Sequence, residues 1–152
     1  MLKSIVFLAL LFVSVKAFSC SCKAYDLEES FENHDVVVIG TVRRFGKRSF
    51  FETLFSRHLP EMKAVIRITK DFKKFDQEEI TVYTNYSSAA CGFDFKEGVE
   101  YALFAYSPKE GYEKDKYFVD SCSPTIHTQP REDYYEQERK RVVEFLSGKS
   151  ST

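Results

Sequence analysis

The sequence predicts a mainly β domain with flanking helices, a five-stranded barrel pinned by two disulfides. Three features predict it: five short runs with the β-branched or alternating pattern of strands, a helical run on either side of them, and four cysteines behind an apolar leader.

The leader comes first. Lys3 supplies a positive start, Ile5 to Val15 is apolar apart from Ser14, and Ala17 and Ser19 are the small residues a signal peptidase reads. Cleavage is expected between Ser19 and Cys20, giving a secreted, extracellular chain. A spanning helix needs about 20 apolar residues, and no second apolar segment follows, so no membrane span is expected. A lipoprotein signal would place Leu where Ala17 stands. Removing 19 of 152 residues leaves 133, one domain (20–152) long enough to bury a core.

The elements follow in order. Asp26 to His34 has helical character, with Leu27 and Phe31 four apart on one face. Val36 to Val42 is a β-branched run, expected as a buried strand. Arg43 to Pro60 is a long connection broken by Gly46 and Pro60. It is read as a loop or short helix pinned by Phe50, Phe51, Leu54 and Phe55, in preference to an exposed apolar contact surface. Ala64 to Thr69, Ile80 to Thr84, Tyr101 to Tyr106 and Tyr117 to Asp120 supply the other strands, with a turn at Ser107 to Gly111. Arg131 to Leu146 reads as a helix started by Pro130 and stopped by Gly148. Five strands with helices outside suggest the OB-fold, in which closure removes exposed edges.

Loss of Lys3 and Lys16 with the leader takes 22 basic residues to 20, against 23 acidic, a net charge of −3. That balance speaks against a nucleic-acid partner. The clusters Arg43-Arg44, Lys47-Arg48, Lys73-Lys74 and Arg139-Lys140-Arg141 are offset by nearby acids and read as solvated faces. His34, His58 and His127 have no metal-ligand spacing and read as surface or turn residues, and Ser87-Ser88 lacks a hydrolase elbow, so no enzyme constellation stands out. In an oxidising compartment Cys20, Cys22, Cys91 and Cys122 should form two disulfides. A Cys20–Cys22 ring is sterically disfavoured, which leaves two pairings, each tying the N-terminus to the middle and the end of the chain.

Four blocks carry a resemblance: Cys20-Ser21-Cys22 at the mature start; Ser30 to Ile39; Ile80 to Thr84 followed by Ser87-Ser88-Ala89-Ala90-Cys91-Gly92; and Glu100 to Ala105 with Cys122 beyond. With this spacing the chain resembles the inhibitory domain of the tissue inhibitors of metalloproteinases, within the netrin-like superfamily, over nearly all of 20–152. The resemblance implies an OB barrel with Cys20–Cys91 and Cys22–Cys122 bonds. It also implies a secreted monomer that binds an extracellular zinc metalloproteinase one to one. Cys20, Ser21, Cys22 and Lys23 would form a wedge with Ser87, Ser88, Ala89, Ala90 and Cys91. The α-amine and carbonyl of Cys20 would chelate the target's zinc, and Ser21 would enter the specificity pocket. The chain would carry no cofactor of its own.

The sequence departs from that pattern in places. A third family disulfide has no cysteine at Glu32 or near the C-terminus, and Lys23-Ala24 stands where the family has proline. Asn85-Tyr86-Ser87 is a glycosylation sequon beside the proposed contact loop. The alternative reading is a non-inhibitory netrin-like extracellular binding module. A third, a thiol redox enzyme, would need reduced Cys20 and Cys22.

Overall fold

A computed structural model describes residues 20–22, 24–56, 59–109, 116–130 and 133–149. The leader, its cleavage point, Lys23, His58, Gly111 and Arg131 lie outside that set. The described residues form a curled six-stranded sheet with three α-helices. They are α1 (Leu27–Asn33), β1 (Val36–Lys47), α2 (Phe50–Phe55), β2 (Met62–Asp71), β3 (Glu79–Thr84), β4 (Glu100–Ala105), β5 (Tyr117–Phe118), β6 (Ile126–His127) and α3 (Glu136–Gly148). The strand order is β5-β3-β2-β1-β4-β6.

β1 organises the sheet. Its first half pairs antiparallel with β4, from Val36 opposite Ala105 to Thr41 opposite Glu100, while Val38 to Lys47 pairs with β2. Register shifts at Ile39/Gly40 and Val42/Arg44 bend it, the usual effect of a bulge. At Gly40 a Cβ would sit 2.7 Å from both the Arg67 carbonyl oxygen and Ile66 Cγ2, so only glycine allows that approach. β3 runs parallel to β5, and a single antiparallel bridge joins Phe118 to Tyr106, just past β4, with N···O distances of 3.1 and 2.8 Å. The edge strand β5 is thereby tied back to the segment that follows β4.

The curl gives two buried faces. Val36, Val38, Val42, Ile66, Ile80, Val82, Tyr101 and Leu103 pack inside it with Phe95. Val37, Ala102 and Phe104 face outward against Leu27, Val142 and Leu146 of the helices. Period-2 alternation sends neighbouring side chains to opposite faces. The unbroken valine run at 36–38 therefore reflects burial on both sides. Helix α1 starts where the Asp26 side chain accepts from the Glu29 N–H at 3.0 Å, with Glu28 and Glu29 suited to its N-terminal dipole.

Several expectations need correction. A sixth strand, Ile126–His127, lies at the edge of β4. Its two residues between Pro124 and Pro130 offer no periodicity to read. β1 continues through Arg43 to Lys47: Arg44, Phe45, Gly46 and Lys47 pair with Val65, Ala64, Lys63 and Met62 in the β1–β2 hairpin, and Phe45 packs against the inner core. Asp120 is not in a strand; its carbonyl accepts from the Ser123 N–H in a turn. Helix α3 begins at Glu136, six residues after Pro130, because Asp133 first accepts from the Tyr135 N–H at 3.1 Å and holds a turn.

The basic clusters are not simply solvated faces. One residue of three of them turns inward. Arg48 is 8% exposed and Arg139 3%. The Lys73 ammonium donates to the carbonyls of Phe31, Glu32 and His34 at 2.6–3.1 Å, closing the C-terminal end of α1. The four large apolar residues expected to pin the 43–60 connection do not do so. Phe50, Phe51, Leu54 and Phe55 are 76, 70, 46 and 82% exposed. They form an exposed apolar surface instead.

Candidate functional site

All four cysteines are bridged, Cys20 to Cys91 and Cys22 to Cys122, with Cα separations of 5.3 and 5.1 Å. The two bridges touch: Cys20 Sγ lies 3.7 Å from Cys122 Sγ and 3.7 Å from Ser121 Oγ. Cys20-Ser21-Cys22 is thus fastened at both its ends to two different loops, and Ser21 between them is exposed. Cross-links over 71 and 100 residues remove up to about 4 kcal/mol each of unfolded-state freedom in the chain-entropy model.

The first of those loops runs from Asn85 to Gly92 and folds on itself. The Ser87 carbonyl accepts from the N–H groups of Ala90 (3.0 Å) and Gly92 (2.8 Å), and Ser88–Ala90 form one 3₁₀ turn. The Asn85 Nδ2 donates to the Ala90 carbonyl at 2.6 Å. Cys91 takes a left-handed φ of 60°, which turns its sulfur toward the N-terminus and its carbonyl toward the Ser121 N–H, 3.0 Å away. Gly92 is fixed by space: a Cβ there would lie 2.2 Å from the Asn85 carbonyl oxygen. Thr84 Oγ1 accepts from the Phe93 N–H at 2.7 Å and ties the loop's exit back to β3.

The second loop follows β5. The Asp120 carboxylate accepts from the Cys122 N–H at 2.8 Å, and Ser123 Oγ donates to the Asp120 carbonyl at 3.0 Å. Cys20, Ser21, Cys22, Ser87, Ala89, Ala90 and Cys91 are therefore gathered on one side of the domain, with Ser87, Ala89 and Ala90 exposed. The backbone of Ser88 belongs to the same turn. Asn85 is exposed beside them, as a sequon residue must be.

Sequence reasoning missed the supporting residues. Asp120 and Ser121 lock the second loop, yet a lone Asp-Ser before a cysteine carries no recognisable signal. The contact between Lys47 Nζ and the Tyr86 ring, 4.9 Å from its centroid, links the contact loop to the end of β1. Tyr86 itself is 66% exposed.

A cleft of about 900 Å³ opens beside the second loop, lined by Tyr25, Phe93, Tyr101, Ser121 and His127 among others. On its α3 side Arg139 donates to Asp133 at 2.6 Å and to His127 Nε2 at 3.1 Å. His127 is thus half-buried in a polar cluster rather than a plain turn residue. Partial burial works against ionisation of Asp133, but Arg139 and then the Tyr135 N–H hold its carboxyl below the usual range. Burial and the bond to Glu138 at 2.6 Å push the Tyr25 phenol well above its ordinary value.

No protein-family model matches this sequence, and no curated protein matches it. Among the described residues no helix is long and apolar enough to cross a membrane.

Proposed function

We propose that the chain is a secreted inhibitor of zinc metalloproteinases, acting through a wedge made of Cys20-Ser21-Cys22 and the Ser87 to Cys91 turn. The observation that carries this reading is the double fastening of an exposed Cys-Ser-Cys segment to two loops by touching disulfides. A flexible terminus would lose much of its binding energy in ordering, whereas a pre-ordered one loses little. We read the curled sheet, with β3 parallel to β5 and the Tyr106–Phe118 bridge, as a partly closed OB-type barrel carrying one extra edge strand.

The chemistry follows from the backbone of Cys20. A catalytic zinc keeps one coordination position for water. Once residues 1–19 are removed, the Cys20 amine and carbonyl oxygen are spaced to chelate one metal in a five-membered ring. They would displace that water. An α-amine ordinarily has a pKa of about 8, and zinc favours the neutral, ligating form. Ser21, projecting between the two bridges, would enter the pocket that takes a substrate side chain. Ser87, Ser88, Ala89 and Ala90 would lie along the cleft, and Lys23 beyond. A glycan on Asn85 would stand next to this surface.

The test is inhibition of a metalloproteinase catalytic domain by protein starting at Cys20, beside the same protein with one alanine in front. Inhibition by the first and not the second is expected. Equal inhibition by both would place the contact elsewhere and sink the chelation mechanism. The second reading, a binding module without inhibitory activity, is favoured by the exposed aromatic tip of α2, an apolar surface made of residues other than the Cys-Ser-Cys segment. Loss of inhibition by both forms against several metalloproteinases would select it.

A further inference from the structure

We propose that the tip formed by Phe50, Phe51, Leu54 and Phe55 docks on the surface of an anionic phospholipid bilayer, burying these side chains at its interface. The inference does not depend on the zinc wedge.

The arm is built to hold a shape. None of the six residues of α2 is buried. At 100° per residue, positions 50, 51, 54 and 55 fall within one arc of about 140°, with Glu52 and Thr53 behind it. Glu52 closes a capping box with Ser49 and pairs with Lys63 on β2. Arg48, buried beneath, donates to the carbonyls of Glu52, Ser56, Leu59 and Pro60 at 2.7–3.1 Å. One guanidinium thus draws four carbonyls of the arm together. The apolar arc is left outward by construction and does not fold back on the domain.

Charge selects the partner. Segment 43–63 carries six basic residues, among them exposed Arg43, Arg44 and Lys47, against Glu52 and Glu61, a net charge of +4. The remainder of 20–152 is then −7. The apolar tip therefore sits on a basic segment of an otherwise acidic domain. Aromatic side chains flanked by Lys and Arg match an anionic bilayer interface, which attracts the cations and takes the rings below the headgroups. A projecting arc with four splayed side chains needs no matching socket in lipid, as it would on a protein.

The sequence contains no tryptophan, so Phe51→Trp gives a silent background and a reporter at the tip. The disulfide-bonded protein would be mixed with vesicles of phosphatidylcholine plus phosphatidylserine, or of phosphatidylcholine alone. Co-sedimentation with the mixed vesicles and a blue-shifted emission are expected, both weakened by salt. Phe50→Ser with Phe51→Ser should lower partitioning at least about tenfold without changing the melting curve, since neither ring is buried. Phe55→Trp repeats the emission test from the far end of the arc. Unshifted emission on bound vesicles overturns the proposal, as does equal partitioning of the serine variant. So does lipid-independent self-association that those serines abolish, which would assign the arc to a second copy.

Discussion

The wedge and the arm are both exposed projections of the same sheet, yet they are held by opposite means. Cys20-Ser21-Cys22 has no regular structure and is fixed by two covalent bridges to distant parts of the chain. The arm at 49–60 contains no cysteine and is fixed by one buried arginine, a capping box and an ion pair, all within sixteen residues of Arg48. Long-range cross-links stabilise the whole fold by restricting its unfolded state. Short-range hydrogen bonds hold only the segment they span. The difference predicts which perturbations spread and which stay local.

The largest effect should come from the bridges. Cys22→Ser with Cys122→Ser should lower unfolding free energy by about 2–5 kcal/mol, read as a shift in the denaturant midpoint of the entire domain. An unchanged midpoint would mean that the bridge merely decorates an already stable terminus.

Next is Arg48→Met, which keeps the stem, takes the guanidinium donor from the Leu59 and Pro60 carbonyls, and leaves those of Glu52 and Ser56 with only their backbone partners. A local cost of about 2–3 kcal/mol is expected. Amide exchange should quicken between Thr53 and Ser56 while β1 and β4 stay protected. Uniform loss of protection would show that the arm folds as part of the core.

Gly92→Ala should cost about 1–3 kcal/mol, because the new Cβ meets the Asn85 carbonyl and something in the backbone must shift. Thermal melting measures it, and a neutral result would show that the contact loop adapts more freely than its hydrogen bonds suggest.

The smallest effect concerns Glu52. Its bond to Lys63 first, then the Ser49 N–H, lower its carboxyl from 4.5 to about 2. A depressed carboxylate stabilises above its unfolded value and loses that contribution as pH falls. The arm should therefore loosen between pH 4.5 and 2. The group is 39% exposed and screened, so the loss should be only about 0.5 kcal/mol. Glu52→Gln should remove the pH dependence of exchange at Thr53 and Ser56; its persistence would assign the titration to another group.

The same contrast explains what could be read in the sequence. The cysteine count marked two bridges, and β-branched or alternating runs marked Val36–Val42, Ile80–Thr84 and Tyr101–Tyr106, because burial on fixed faces leaves a periodic trace. The pairing of the bridges came only with the resemblance. The arm was illegible for a physical reason. Four large apolar side chains ordinarily signal a core, and nothing local tells that Arg48 replaces them inside. Lys73 and Arg139 show the same blindness: a cation that caps carbonyls or closes an Asp133–His127 cluster is indistinguishable in sequence from a solvated one. Ile126–His127 was too short to leave a pattern, and the start of α3 was displaced because Asp133, not Pro130, sets the turn before it.

The zinc wedge is tested most directly by titrating protein that starts at Cys20 into a metalloproteinase catalytic domain, with its zinc cleft open or occupied by a small hydroxamate chelator. Binding to the open enzyme, abolished by the chelator, is the predicted result. Undiminished binding to the blocked enzyme would contradict chelation by Cys20.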